Sequence, residues 1–134
     1  METAIVDFAN LPATPDSGKT RGKPIVCKFI IIAVSGRVNL VLGSVSEFGY
    51  HANLVDRFCS QQGTAAAWVR KPDLVEVLDP DVAVRGGGWM KLDPSTSSVE
   101  IYGGSTAYGR FDPEMVGALV DREPFFRDKQ VVIK

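Results

Sequence analysis

The run "IVCKFIIIAVSGRVNLVLGS", residues 25–44, decides how this chain folds. Its first half is rich in β-branched residues with little polar alternation, which predicts a central strand covered on both faces. Lys28 is the one charge that interrupts it. "SGR" (35–37) then offers a turn, and "VNLVLGS" (38–44) alternates apolar and polar positions before a glycine, as an antiparallel neighbour does. A β-hairpin therefore stands at the centre of the domain.

C-terminal to the hairpin, "EFGYHANLVDRF" (47–58) changes period. Phe48, Ala52, Val55, Phe58 and Cys59 recur at steps of three and four until Gly63, which predicts an amphipathic helix from Glu47 to Gln62. Ser44 and Glu47 have capping-box spacing, with Ser46 as an alternative cap. His51, the only histidine of the chain, falls near the first turn, where backbone N–H groups lack intrahelical partners and anions are attracted.

Residues 64–82 divide less clearly. "TAAAWVRKPD" is compatible with a longer helix or a loop, whereas "LVEVL" (74–78) alternates as a strand. "VAVRGGGWMKL" (82–92) and "VEIYGGS" (99–105) read as two strands joined by the turn residues "DPSTSS". The glycine triplet lies inside a strand. It is neither a dinucleotide fingerprint nor a P-loop, and predicts a bulge or a close backbone approach. "STAYGRF" (105–111) is a loop of small residues leading to a second helix, with Asp112 as N-cap, Pro113 at the first helical position and Met115, Val116 and Leu119 on one face. "QVVI" (130–133) closes the chain as a short strand.

These elements give an α/β fold of the α+β type: a single mixed, largely antiparallel sheet of about six strands with two packed helices. N-terminal to the hairpin, "ANLPATPDSGKTRGKP" (9–24) combines prolines, glycines and basic residues with little to bury. Residues 1–24 are accordingly expected to be a mobile lead-in and residues 25–134 the folded domain.

Composition narrows the function classes. A chain of 134 residues should bury about two-thirds of its unfolded surface, enough for one core. A formal net charge of -1 sets up no field that would gather nucleic acid or an anionic membrane. Cys27 and Cys59 lie in apolar patterns without metal-ligand spacing and read as buried thiols, and one histidine excludes a multi-histidine metal site. The carboxylates Asp79, Asp81, Asp93 and Asp112 fall at turn or cap positions, and "GGSTA" lacks the last glycine of a nucleophile elbow. With no leader-like N-terminus and no apolar run long enough to span a bilayer, a soluble, cytoplasmic, monomeric protein is expected.

"CKFIIIAV", "GYHANLVDRF", "GGGWMKL" and "VEIYGGSTAYG" occur in the order and at roughly the spacing of the Janus family, which includes the small phosphohistidine phosphatases, and from Lys28 to Met115 the chain resembles that family. The resemblance implies a phosphatase that hydrolyses the N–P bond of phosphorylated histidine in proteins, or of small phosphoramidates, without a metal or other cofactor. It implies that His51 is catalytic, as general base or nucleophile, and that Lys28, Ala52, Ser105, Thr106 and Ala107 bind phosphate, the small-residue loop and Ala52 doing so through backbone amides. In one place the chain departs from the family pattern: Trp89 stands where an arginine follows the glycine triplet. "VLGS" also lacks a basic residue expected before the first helix, leaving Lys91, Arg85 and Arg110 as candidate replacements. Trp89 itself reads as a packing residue, with stacking on a substrate ring as the sharper alternative. The other function class is a non-catalytic relative that binds a phosphorylated or anionic partner through the same pocket.

Overall fold

The structure, a computed structural model, describes residues 1–11 and 23–134. Eight strands are present among them: β1 (Glu2–Asp7), β2 (Ile25–Val34), β3 (Arg37–Ser44), β4 (Ala66–Arg70), β5 (Leu74–Val77), β6 (Val82–Asp93), β7 (Ser98–Tyr102) and β8 (Gln130–Ile133). The helices are α1 (His51–Gln62) and α2 (Pro113–Arg122), followed by one 3-10 turn at Pro124–Phe126.

Six strands form one sheet in the order β1-β3-β2-β6-β7-β8. Its four inner strands pair antiparallel, while β1 joins β3 and β8 joins β7 in parallel. The mixed, largely antiparallel sheet with two helices is therefore present as the sequence indicates, but its membership differs. Residues 74–77 pair with β4 in a separate two-stranded sheet. Their place in the main sheet is taken by β1, at the start of the supposed lead-in, which docks on β3 from Glu2↔Arg37 to Asp7↔Leu42. The expectation of a mobile lead-in over residues 1–24 is thus corrected for its first residues; the part at 12–22 lies outside the described residues.

The period of two along β2 sorts the core into two halves. Cys27, Phe29 and Ile31 face α2 and pack with Leu40, Leu42, Met90, Ile101, Phe111 and Leu119. Ile30 and Ile32 face α1 and pack with Val41, Leu54, Val55, Phe58 and Val75. Each such side chain is worth about 1.5–3 kcal/mol of transfer free energy when fully buried. The helices thus cover opposite faces of the sheet, which is why β2 carries so little alternation in hydropathy. By the same parity Lys28 belongs to the α1 face. Asp112 caps α2 as its sequence indicates, accepting from the N–H of Glu114 at 3.0 Å.

Candidate functional site

Helix α1 begins at His51, four residues after the predicted Glu47, and Lys28 accounts for the delay. Ser44 Oγ accepts the N–H of Glu47 at 3.2 Å and its carbonyl accepts that of Phe48 at 2.9 Å, so the capping-box pair closes a turn instead of a helix. The Lys28 ammonium then donates to the carbonyl of Phe48 at 3.2 Å and to that of Gly49. Those two oxygens would otherwise accept the helical N–H groups of Ala52 and Asn53. Asn53 instead donates to the Tyr50 carbonyl at 3.0 Å, and its side chain accepts the Tyr50 N–H at 2.9 Å. The first helical residue is therefore the histidine itself.

The glycine triplet fits the ring of that histidine. Opposite Ile31 of β2, strand β6 inserts an extra residue between Gly87 and Val84, a bulge reached through Gly86 at φ +87. Gly87 has no room for a side chain: a Cβ there would stand 2.6 Å from the Phe29 carbonyl oxygen and 2.9 Å from His51 Cδ2. The Gly88 carbonyl lies 3.0 Å from His51 Nε2. A carbonyl only accepts, so in the neutral ring Nε2 carries the proton and Nδ1 keeps the lone pair. Burial lowers the imidazole pKa from its ordinary value; the Gly88 bond works the other way and the nearby Lys28 charge adds to the lowering.

His51 is 8% exposed, and that residual exposure opens on a cavity of about 310 Å³. Lys28, Ser105, Thr106 and Ala107 line it with His51, together with Gly49, Tyr50, Asp73, Trp89 and Gly104. Ala52 does not line it: the residue is fully buried, although its N–H, in the first turn, has no backbone acceptor among the described residues. The loop is held as a tight ring. Ser105 N–H donates to the Gly109 carbonyl at 3.1 Å, Gly109 N–H returns the bond at 2.8 Å, and Ser105 Oγ accepts the Tyr108 N–H at 3.2 Å. The Ser105 amide is therefore already engaged. Those of Thr106 and Ala107 have no acceptor among the described residues and are the amides left to an anion.

Lys28 is the one cation lining the cavity among the described residues. Burial lowers its pKa, and its ammonium sits 5.1 Å from the centre of the Trp89 ring. Of the candidate replacements for the family arginine, Arg110 donates instead to the carbonyls of Gly103, at 2.8 Å, and Lys134. Neither Arg85 nor Lys91 reaches the cavity wall. Trp89 is only half-buried, so it is no core residue. Its ring edge lies against Gly103, and it stands nearly perpendicular to the His51 ring, with centroids 6.3 Å apart.

Asp73 was missed in the sequence because residues 64–73 gave no firm element. Its signal was the "KPD" turn signature between two short strands. Tyr50, immediately before the histidine, also lines the cavity. Neither Asp79, Asp81 nor Asp93 lines the cavity. Among the described residues no helix is long and apolar enough to cross a membrane.

The model of the Janus/Ocnus family (Ocnus) matches residues 19–129, well over half of the chain. The chain therefore belongs to the Janus/Ocnus family. The match extends beyond the stretch from Lys28 to Met115 on which the motifs lie. No curated protein matches it significantly.

Proposed function

We propose that this cavity receives a phosphoryl group bound through nitrogen, and that the protein is a phosphohistidine phosphatase acting on a phosphorylated protein or a small phosphoramidate in the cytoplasm. The observation that carries the proposal is the contact of His51 Nε2 with the Gly88 carbonyl: because that nitrogen must donate, a neutral imidazole keeps its Nδ1 lone pair in a cavity that also holds one ammonium and two unengaged amides.

The chemistry asks little more of the protein than this. Phosphoryl transfer is catalysed mainly by positioning and by charge stabilisation, and here the phosphoryl oxygens would meet Lys28 and the amides of Thr106 and Ala107. Two routes use the same lone pair. As nucleophile, Nδ1 bonds to phosphorus while the N–P electron pair returns to a protonated substrate nitrogen, and water then hydrolyses the phosphorylated His51. As general base, Nδ1 takes a proton from the water whose oxygen attacks phosphorus while the N–P electron pair leaves with the substrate nitrogen, a role worth about 10²–10⁴ in rate. A depressed pKa keeps the ring neutral and competent for either.

A second reading has its own support. Trp89 replaces the family arginine, and Lys28 spends two of its three N–H donors on the carbonyls of Phe48 and Gly49. A site so short of free charge favours holding an anionic partner without cleaving it. Release of inorganic phosphate from phosphohistidine by the intact protein and by His51→Ala, at matched stability, separates the readings. Release that is lost in the variant supports the phosphatase. Binding without release favours the module, and full activity in His51→Ala removes His51 from the chemistry. Acid-labile phosphate trapped on the intact protein would select the nucleophilic route.

A further inference from the structure

The cavity of His51 carries groups of both signs, and the reaction described above uses only the cationic side. On the opposite count stands Asp73, in the turn between β4 and β5. Arg70 grips it from three residues back, Nε donating to Oδ1 at 2.8 Å and Nη2 to Oδ2 at 3.2 Å. That hydrogen bonding holds the carboxyl below its usual range, so it is ionised at neutral pH. One guanidinium takes only one lone pair from each carboxylate oxygen, which leaves acceptor capacity on both.

The acidic turn is also tied to the loop that supplies the amides. The Tyr108 hydroxyl accepts the N–H of Val75 at 2.9 Å and donates to the carbonyl of the same residue at 2.8 Å. Val75 is buried in β5, two residues beyond Asp73, and Tyr108 directly follows Ala107. Carboxylate and amides are thereby held on one frame, and the Trp89 ring, whose π-face favours cations, lines the same space.

We propose that Asp73 is a specificity-determining subsite that accepts a positively charged nitrogen of the ligand while Lys28 and the loop amides take its anionic group. The site would then prefer N-phosphorylated compounds, in which the phosphoryl group stands beside an imidazolium, ammonium or guanidinium nitrogen, over phosphate esters of neutral alcohols and phenols. This rests on the cavity being a phosphoryl site, and the test is built so that the two ideas fail separately.

Asp73→Asn keeps the size of the side chain, and the exposed pair with Arg70 contributes little to folding. Binding is read from the indole N–H resonance of Trp89, distinguished from that of Trp68 by Trp68→Phe. The ratio of affinities for phosphohistidine and phenyl phosphate should fall about tenfold in Asp73→Asn, the scale of one charge-assisted hydrogen bond. An unchanged ratio, whether both affinities fall or neither does, overturns the subsite. Imidazolium alone, at a pH of about 6, reads the acidic wall without any phosphoryl group. A Trp89 shift that Asp73→Asn abolishes supports the subsite even if inorganic phosphate fails to bind, an outcome that would count against the phosphoryl reading alone. No shift with imidazolium, or one that survives the substitution, overturns the subsite.

Discussion

The Nε2 of His51 donates to the carbonyl oxygen of Gly88 at 3.0 Å, so the one imidazole of the cavity is oriented by strand backbone and hydrogen-bonds to no other side chain among the described residues. An aspartate partner would raise the ring's pKa and favour its charged form. A neutral carbonyl orients it without supplying that charge, and burial then dominates. The outcome is a fixed, neutral imidazole.

Its titration should show this directly. The chain has one histidine, so its ring protons can be followed without overlap, and the native midpoint should lie below about 6.5. Since the folded state then binds fewer protons than the unfolded one, stability should decline as the pH falls through about 6.5 and go on declining to the native midpoint, with no contribution from this ring above that window. Lys28→Met removes the charge that helps lower the value and should raise the midpoint. A native midpoint at or above 6.5, or a fall in Lys28→Met, would contradict the assignment.

Gly87→Ala should cost stability and displace the histidine together. The new methyl would meet the Phe29 carbonyl at 2.6 Å, and backbone in a central strand cannot step aside as a flexible side chain would. Overpacking of this kind costs about 1–3 kcal/mol, measurable as a lower denaturation midpoint. Because His51 Cδ2 is the second atom in the way, its ring resonances should shift more than those of equally distant core residues. A variant as stable as the parent with unmoved His51 signals would contradict the close approach of Gly87 to Phe29 and His51.

The two thiols should resist modification in the native protein. Cys27 is buried under α2 with its Sγ donating to the Met90 carbonyl at 3.7 Å, and burial, with the Asp7 charge adding to it, pushes its pKa up to about 12. Burial raises that of Cys59 as well, with Asp56 contributing. Thiolate is the reactive form, so a disulfide reagent at a pH of about 8 should label neither until the chain unfolds. Rapid labelling of one thiol under native conditions would place that cysteine in a region that opens locally.

Much of this was legible in advance because the signals were local. The β2–β3 hairpin needed only its own residues, and α2 is announced by Asp112 and Pro113, which act within one turn. Lys28, His51, Ser105, Thr106 and Ala107, which line the cavity, were indicated by the family resemblance, whereas Ala52, indicated with them, does not line it. What escaped depends on distant partners. Strand β1 is an edge strand whose parallel mate lies thirty-five positions away at Glu2↔Arg37, and a parallel pair is not joined by a tight hairpin turn that would advertise the pairing. The late start of α1 depends on an ammonium from β2 capturing two carbonyls, and a capping-box spacing cannot foresee that competition. The role of Asp73 follows from a hairpin whose strands are too short to stand out and whose anchor, Tyr108, comes from another loop.

Trp89→Arg is the substitution that most directly probes how the cavity handles charge. Trp89 pairs with Lys28 across β2 and β6, so an arginine there would set a guanidinium beside the buried ammonium. Without a ligand the two cations repel, and the Trp89 ring that now faces Lys28 is lost, so the variant should be less stable by about 1–2 kcal/mol and its Lys28 pKa lower still. A bound phosphate reverses the sign. Each cation within 4 Å of the anion contributes about 4 kcal/mol at an effective dielectric near 20 before desolvation is subtracted, so a net gain of about tenfold in affinity for inorganic phosphate is a modest expectation. Added phosphate should then restore much of the lost stability by mass action, and thermal denaturation with and without it measures both effects in one experiment. If phosphate stabilises the variant no more than the parent, the new charge does not face the cavity, and Trp89 is then a packing residue against Gly103 with no part in anion binding.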